Sequence, residues 1–351
     1  MEVKRLWMVL LLLLTLPGPA LAAARPTMTM AELAFYSGAD RQQLLEEGAR
    51  REGKLTFYTS GAFDSIVSPI LAAFKKKYPF VTVDMWRGTS PEVASRTMEE
   101  AKAGRNMVDV IEGTQVAMIV LQRVGLVQPF ASPQFAQIEE EAKTTVPGGV
   151  VAVAYRSSGI GFGYNTKLVS KDQLPKTYED LLNPKWKGKL AIAGSNTGAG
   201  WLGAVKNSGG EELLKKIAAQ NYPVQMVSAM ALVQIVATGE YAASPTLIDA
   251  NVYVTKLKGA PMDWTPLEPV RVNIGQIAIA KKAQNPYAAM LFTDFQISKE
   301  VGEILRVRSY DSFRRDVAPV GQRYKKYFGV DTAEEIVAEE ALFKKLFISK
   351  Q

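Results

Sequence analysis

Short apolar runs alternate with longer amphipathic stretches through the first third of the chain. The short runs predict β-strands, each followed by a loop of glycine and hydroxyl residues, at 54–58, 81–86 and 108–111. The longer stretches carry apolar side chains at helical spacing and predict helices at 41–52, 63–77 and 91–103. Strand, polar loop and helix in repetition are typical of a parallel sheet with crossover helices, so the pattern predicts an α/β fold.

The remainder of the chain predicts a second lobe of similar construction. Further strands are expected at 150–156, 161–165, 189–193 and 271–280, and further helices from about 201 and at 213–219, 224–237 and 287–305. The strands at 150–165 carry the chain out of the first lobe, and the strand at 271–280 leads it back. We therefore expect lobe I to comprise residues 25–152 with 275–320, and lobe II residues 153–274 with 321–351.

Residues 1–24 are expected to form a signal peptide. Lys4 and Arg5 precede an apolar stretch, 6–16, that Pro17 ends, and small residues follow at 20–24. That order is typical of a cleaved secretory signal and predicts export to the periplasm. The alternative is an uncleaved anchor helix, but the apolar run is shorter than the ~20 residues that a membrane span requires.

Composition disfavours enzymatic and nucleic-acid functions. The 351 residues include no Cys and no His, which removes thiol nucleophiles and the commonest general base. Carboxylates, Lys and Tyr remain available for catalysis, yet we expect the chain to bind rather than to catalyse. The formal net charge of +7 favours an anionic partner. The Lys and Arg residues are dispersed, the longest cluster being 75–77, so no nucleic-acid partner is expected.

The loops after the first three strands supply candidate binding residues. In open α/β sheets a ligand lies beyond the carboxyl edge of the strands, where helix N-termini direct unpaired N–H groups outward. These loops contain Thr59, Ser60 and Gly61; Arg87, Gly88, Thr89 and Ser90; and Gly113, Thr114 and Gln115. Because a guanidinium offers paired donors to carboxylate or phosphoryl oxygens, Arg87 is the first candidate contact. The alternative is a surface Arg87 that pairs with a carboxylate such as Asp84.

Three segments resemble the type II periplasmic binding proteins of ABC importers, in the branch that holds ferric iron, thiamine, phosphonate and sugar-phosphate binders. The most specific segment, 178–190, reads YEDLLNPKWKGKL and resembles that family's entry into the second lobe. Residues 155–166 (YRSSGIGFGYNT) and 285–295 (NPYAAMLFTDF) are similar as well. The resemblance covers nearly all of the chain after the signal peptide. It implies two lobes, each a mixed, mostly parallel sheet flanked by helices, joined by crossing β-segments.

The resemblance implies a transport receptor that closes like a hinge on a small solute. A solute that contacts both lobes binds the closed state preferentially and shifts the equilibrium toward it. The expected partner is an inner-membrane ABC permease, the expected state is a monomer, and no cofactor is expected. The alternatives are a sensor subunit that presents its closed form to a membrane kinase, and an enzyme that uses carboxylates or Tyr.

The resemblance also places ligand contacts in lobe II. The loop that is similar to the family's ligand-facing loop comprises Ser195, Asn196, Thr197, Gly198 and Gly200. Its residue types suit an anion at a helix N-terminus, and the alternative is an ordinary capped helix start. Asn251 and Tyr253 lie in the stretch where family members place ligand-contacting side chains. Arg156, near the crossover, is a candidate second cation, although crossover arginines also pair between lobes.

The expected solute is anionic or polar and organic, such as a phosphonate, a phosphate ester or a carboxylate. Ferric-binding members use a Tyr-Tyr pair in lobe II, where this chain has Asn251, Val252 and Tyr253. Ferric iron requires several anionic oxygen ligands, so a single phenolate makes iron the less favoured alternative, and no metal site is assigned. A thiamine-type cation prefers an acidic, aromatic cleft, whereas these loops offer mainly Glu112 against Arg87 and Arg156.

Overall fold

The computed structural model describes residues 28–194, 196–321, 324–329 and 333–349. The predicted signal peptide at 1–24 lies outside these residues. Among the described residues, no helix combines the length and the apolar character needed to pass through a lipid bilayer.

The described elements follow the predicted alternation of strands and helices. The strands are β1 Lys54–Thr59, β2 Thr82–Arg87, β3 Val110–Thr114, β4 Val127–Gln128, β5 Lys143–Val146, β6 Gly149–Asn165, β7 Ile192–Ala193, β8 Val224–Gln225, β9 Ala243–Ile248, β10 Met262–Thr265, β11 Val270–Ala280 and β12 Lys326–Tyr327. The helices are α1 Met30–Leu33, α2 Arg41–Glu52, α3 Ser68–Lys77, α4 Ser90–Lys102, α5 Gln115–Arg123, α6 Asn196–Ala218, α7 Ala229–Thr238, α8 Asp249–Leu257, α9 Pro286–Gln296, α10 Lys299–Arg306 and α11 Ala333–Phe343.

The first three strands form the parallel sheet that the sequence predicts. β1 lies between β2 and β3 and runs parallel to both. β11 completes this part of the sheet, antiparallel to β3. Because parallel strands point the same way, the loops after β1, β2 and β3 lie at one edge of the sheet. The candidate residues of these loops are therefore brought to the same edge.

Two long strands connect the halves of the molecule. β6 pairs with β11 from Val153 to Ile160 and then continues to pair with β9 and β10. We call the side of the sheet that contains β1–β5 lobe I and the side that contains β7–β10 lobe II. The sequence predicts two strands here, at 150–156 and 161–165, but the structure has one uninterrupted strand of 17 residues. Within this strand Gly161 leaves room for the Trp264 ring, which lies 2.5 Å from where an added Cβ would be.

Two predicted helices have different bounds in the structure. The long helix expected at 287–305 is divided into α9 and α10, because Ser298 caps a new helix by accepting a hydrogen bond from the Val301 amide. α9 is buried from Tyr287 to Gln296, so its sequence has no polar face. The helix expected at 224–237 begins only at Ala229, after the cap Ser228 and the short strand β8.

Candidate functional site

A cleft of about 550 Å³ lies where the carboxyl edge of the lobe I strands faces lobe II. Its lobe I wall consists of loop and helix-start residues, namely Ser60, Thr89, Ser90, Pro91, Thr114, Gln115 and Val116. Five of these seven residues are ones that the sequence singles out for the site. The structure thus brings the loops after β1, β2 and β3 together on one surface.

The opposite wall comes from lobe II and from the crossing strands. Lobe II contributes Thr197, Ala199 and Gly200 of α6, and Ser228 and Ala229 at the start of α7. The crossing strands contribute Ile160, Arg271, Val272, Asn273 and Ile274. Thr197 and Gly200 are the members of the predicted lobe II loop that reach the cleft.

Helix N-termini from both lobes point their first turns into the cleft. Cap or first-turn residues of α4, α5, α6 and α7 all belong to the lining. The N-terminus of a helix carries a partial positive charge and amide hydrogens that the helix itself does not use. Four such ends around one cleft favour a solute that carries negative charge or oxygen acceptors.

Hydrogen bonds fix the two lobe I helix starts to each other. Thr89 caps α4 in a capping box with Glu92, so this helix start is closed by its own carboxylate. The Ser90 hydroxyl accepts hydrogen bonds from the Thr114 amide (2.8 Å) and the Thr114 hydroxyl (2.9 Å). A hydroxyl also has one proton to donate, so Ser90 can donate to an oxygen atom in the cleft.

A buried carboxylate supports the loop after β1. Glu112 has no exposed surface, and its Oε2 accepts hydrogen bonds from the Thr59 hydroxyl (2.6 Å) and the Ser60 amide (3.0 Å). Its Oε1 accepts from the Arg156 Nη2 (2.6 Å) and from the Tyr155 hydroxyl (3.3 Å). Glu112 therefore joins the cleft residue Ser60 to the crossing strand β6.

Arg156, a candidate second cation for the ligand, is buried in an ion pair. Only 4% of it is exposed, and its charge is paired with Glu112. The guanidinium lies flat against β11 at Gly275, where an added Cβ would come within 2.4 Å of Cζ. Arg156 is not among the residues that line the cleft, and its role as a ligand contact stays a prediction.

Several other predicted lobe I residues also lie outside the lining. Arg87 is exposed at the end of β2, and Gly88 beside it packs against the Trp86 ring. Thr59, Gly61 and Gly113 are buried behind the residues that form the wall. The charged residue expected to be the main contact is therefore not part of the wall, whereas its neighbours Thr89 and Ser90 are.

In lobe II, Gly198 supports the site rather than lining it. An added Cβ would come within 1.9 Å of the Ala193 carbonyl oxygen and within 2.8 Å of the Phe343 ring. Asn251 is buried within α8, and Tyr253 on the same helix is 37% exposed, and both lie outside the lining. Ser195 and the side chain of Asn196 lie outside the described part of the chain.

Several cleft residues are not among those predicted from the sequence. Arg271 and Asn273 alternate with the apolar Val270, Val272 and Ile274 of β11, and this alternation is a signal that one face of the strand is polar. Ser228 is recognisable as a cap before an apolar run. Ile336, Glu339 and Glu340 come from α11, and nothing local in the sequence places that helix at the cleft.

The charged groups of the cleft lie close to one another. The Arg271 side chain runs over the start of α6 at Gly200, and its Nη1 donates to the Phe328 carbonyl. Burial raises the pKa of Glu339, and the nearby Arg271 guanidinium opposes part of that shift. Among the described residues, no group of three or more Asp or Glu side chains is arranged to hold a metal ion.

Comparison with known proteins agrees with this architecture. Residues 106–327 match the family described as bacterial extracellular solute-binding protein. An uncharacterized protein of Haemophilus influenzae is 28% identical over 282 residues, which cover 76% of this chain and 79% of that protein.

Solved structures share the fold at lower sequence identity. Iron-bound HitA from Pseudomonas aeruginosa superimposes with a TM-score of 0.68 at 20% identity, covering 83% of this chain and 99% of that chain. AfuA from Actinobacillus pleuropneumoniae, with fructose-6-phosphate bound, has a TM-score of 0.66 at 20% identity, covering 84% and 99%. These likenesses confirm the predicted two-lobed fold.

Proposed function

The chain belongs to the bacterial extracellular solute-binding proteins, and we propose that it captures a small anionic organic solute in the cleft between its lobes. Proteins of this family bind small molecules outside the cytoplasm and work with ABC permeases. The more specific part of the proposal is the identity of the solute, which is a phosphonate, a phosphate ester or a carboxylate. Capture occurs by closure of the two lobes about β6 and β11, because a solute held by both walls stabilises the closed state.

The observation that carries this proposal is the convergence of helix N-termini from both lobes on one cleft. α4 and α5 contribute from lobe I, and α6 and α7 from lobe II. An anion between them would interact favourably with the partial charges of α5, α6 and α7, whereas Glu92 already offsets that of α4, and would accept hydrogen bonds from hydroxyls such as that of Ser90. The sugar phosphate in the AfuA structure is a solute of this chemical class.

Ferric iron is the second candidate, because HitA is an iron-bound protein of the same fold. The carboxylates of the cleft lining are Glu339 and Glu340, both from α11. Iron prefers several anionic oxygen ligands, so it would have to use these carboxylates or an accompanying anion.

The proposal is tested by titrating the protein with inorganic phosphate, methylphosphonate, fructose-6-phosphate, citrate and ferric citrate, with calorimetric detection. Native mass spectrometry of the protein purified without refolding would identify a solute that stays bound. We expect binding of at least one phosphorus-containing or carboxylate anion without iron. Binding of ferric citrate alone, with iron retained stoichiometrically, would refute the anionic-solute assignment.

Two variants connect the binding to this cleft. Ser90→Ala removes a hydroxyl donor and should weaken an anionic solute by about 1–3 kcal/mol, the typical value for a hydrogen bond to a charged group. Arg87→Ala is the matched control, because Arg87 lies on the same loop but outside the lining. We expect its affinity to equal that of the unmodified protein. The reverse order, with Arg87→Ala the weaker binder, would place the anion elsewhere.

A further inference from the structure

The C-terminal helix α11 contacts both lobes. Its lobe II end is apolar: Phe343 and the following Phe347 stack at 5.2 Å between ring centres, and Phe347 lies 6.1 Å from the Trp201 ring of α6. Its other end reaches lobe I, where both Glu334 oxygens accept hydrogen bonds from Arg123 of α5, at 2.7 and 2.9 Å. α11 therefore bridges the cleft.

The same helix supplies part of the cleft wall. Ile336, Glu339 and Glu340 line the cleft together with the helix starts described above. Positions three and four residues apart lie on one face of a helix, so these three side chains form a single surface turned toward the cleft. A solute held by the helix N-termini would be in contact with this surface.

We propose that α11 is a movable third wall of the solute cleft, anchored on lobe II, and that solute enters and leaves only when its contact with lobe I opens. Ile336, Glu339 and Glu340 are then solute-contacting residues in addition to the strand-end loops. The inference rests on the proposed function in one respect, namely that this cleft is the solute site.

The two attachments of α11 differ in strength, and this difference decides which end is released. Phe343, Phe347 and Trp201 are all buried, with at most 4% of their surface exposed. The side chains of Arg123 and Glu334 are 48% and 72% exposed. An exposed ion pair favours attachment of α11 to lobe I by about fivefold at most. Burial of the aromatic side chains contributes much more to its attachment to lobe II. The lobe I contact is therefore the one that opens, and it can do so without loss of the fold.

The decisive experiment measures the distance between α11 and lobe I in the absence of any solute. The chain has no native Cys, so Val337→Cys on α11 and Lys102→Cys on α4 can be spin-labelled selectively. Pulsed electron resonance then reports the distance distribution. In the Arg123→Glu background we expect the longer-distance population to increase about two- to fivefold, the range for an exposed pair. The charge-swapped double variant Arg123→Glu, Glu334→Arg should restore the original distribution.

A matched control uses another exposed ion pair that joins distant parts of the chain. Lys77 and Glu300 are 3.4 Å apart with 49% and 46% of their side chains exposed, and both lie on lobe I. Lys77→Glu should leave the distance distribution unchanged. An unchanged distribution in Arg123→Glu as well, or one that the charge swap does not restore, would overturn the proposal.

A second measurement connects the movement to solute exchange. With Arg123→Cys and Glu334→Cys joined by a bifunctional thiol reagent, α11 cannot leave lobe I, and exchange of radiolabelled inorganic phosphate should slow at least about tenfold. Undiminished exchange at complete cross-linking would contradict the movable wall. If phosphate does not bind even before cross-linking, inorganic phosphate is not the solute, and the distance measurement still decides the role of α11.

Discussion

The two faces of the cleft use the same element, a helix start after a strand, but they are held in place differently. On lobe I, hydrogen bonds from Thr114 to the Ser90 hydroxyl fix α4 to α5, and Glu112 holds the loop after β1 through the Ser60 amide. On lobe II, α6 is fixed by close backbone approach, with Gly198 against the Ala193 carbonyl. A similar electrostatic surface can therefore be built from a polar network or from packing of small residues. Variants of the polar network and variants of the small-residue packing should therefore lose stability for different reasons.

The largest decrease in the free energy of unfolding is expected for Glu112→Ala on the lobe I side. The variant leaves the buried Arg156 guanidinium without its partner, and breaking one member of a buried pair typically costs about 3–5 kcal/mol. It also releases Thr59 and the Ser60 amide. Chemical denaturation would measure the free energy of unfolding. A loss smaller than about 1 kcal/mol would show that water or Tyr155 compensates, and that the network is not the support of this face.

Gly198→Ala tests the support of the lobe II face. The added methyl group would overlap a backbone carbonyl, and overpacking of this kind typically costs about 1–3 kcal/mol. Gly200→Ala is a control within the same helix, because its Cβ would meet only the flexible Arg271 side chain at 3.0 Å. Thermal unfolding should show a clear decrease for Gly198→Ala and little change for Gly200→Ala. An equal decrease in thermal stability for both variants would argue against contact with the Ala193 carbonyl as the cause.

The smallest change in stability concerns a second carboxylate beside β6. Asp249, at the start of α8, accepts hydrogen bonds from the Ala250 amide (2.6 Å) and from the Gly159 amide, and burial raises its pKa to about 7. An acid with a raised pKa stabilises the fold below its ordinary pKa of 3.8, and this contribution is lost as the pH rises toward 7. Asp249→Asn should therefore be more stable than the unmodified protein at pH 8, by on the order of 1 kcal/mol.

The same variant should have no advantage at pH 4, where Asp249 is already protonated in the folded protein. When both proteins are denatured between pH 4 and pH 8, their free energies of unfolding should differ at pH 8 and converge toward pH 4. Parallel curves would mean that Asp249 does not titrate in this window. This measurement thus separates the behaviour of Asp249 from that of Glu112, whose charge is paired with Arg156.

The sequence predicts the lobe I face well because its signals are local. An apolar run followed by hydroxyl residues and a capped helix requires only neighbouring residues, and Ser60, Thr89, Ser90, Thr114 and Gln115 all reach the cleft. Arg87, whose residue type suits an anion, is exposed at the end of β2 and lies outside the lining, so its role as the main contact stays a prediction. Side-chain direction at a strand end is set by the register of the sheet, which the loop sequence does not contain.

The lobe II face depends on contacts between residues far apart in the chain. Arg271 reaches α6 from a crossing strand, and Glu339 reaches the cleft on a helix that packs against Trp201 through Phe347. The repeating pattern of α11 indicates a helix, but its position follows from tertiary packing alone. The division of the predicted helix 287–305 had a local signal, Ser298, which an otherwise continuous apolar pattern obscured.

The position of β11 has a consequence for how the protein is made. This strand lies between β6 and β3, although it is separated from β3 by about half of the described chain. During folding the free edge of β3 must therefore wait for residues 270–280 before it finds its neighbour. Pairing across such a separation is slow, and an unpaired apolar strand invites association with other chains. The chain is thus most vulnerable to aggregation before β11 has docked, and we expect its yield to depend on chaperones that shield this edge.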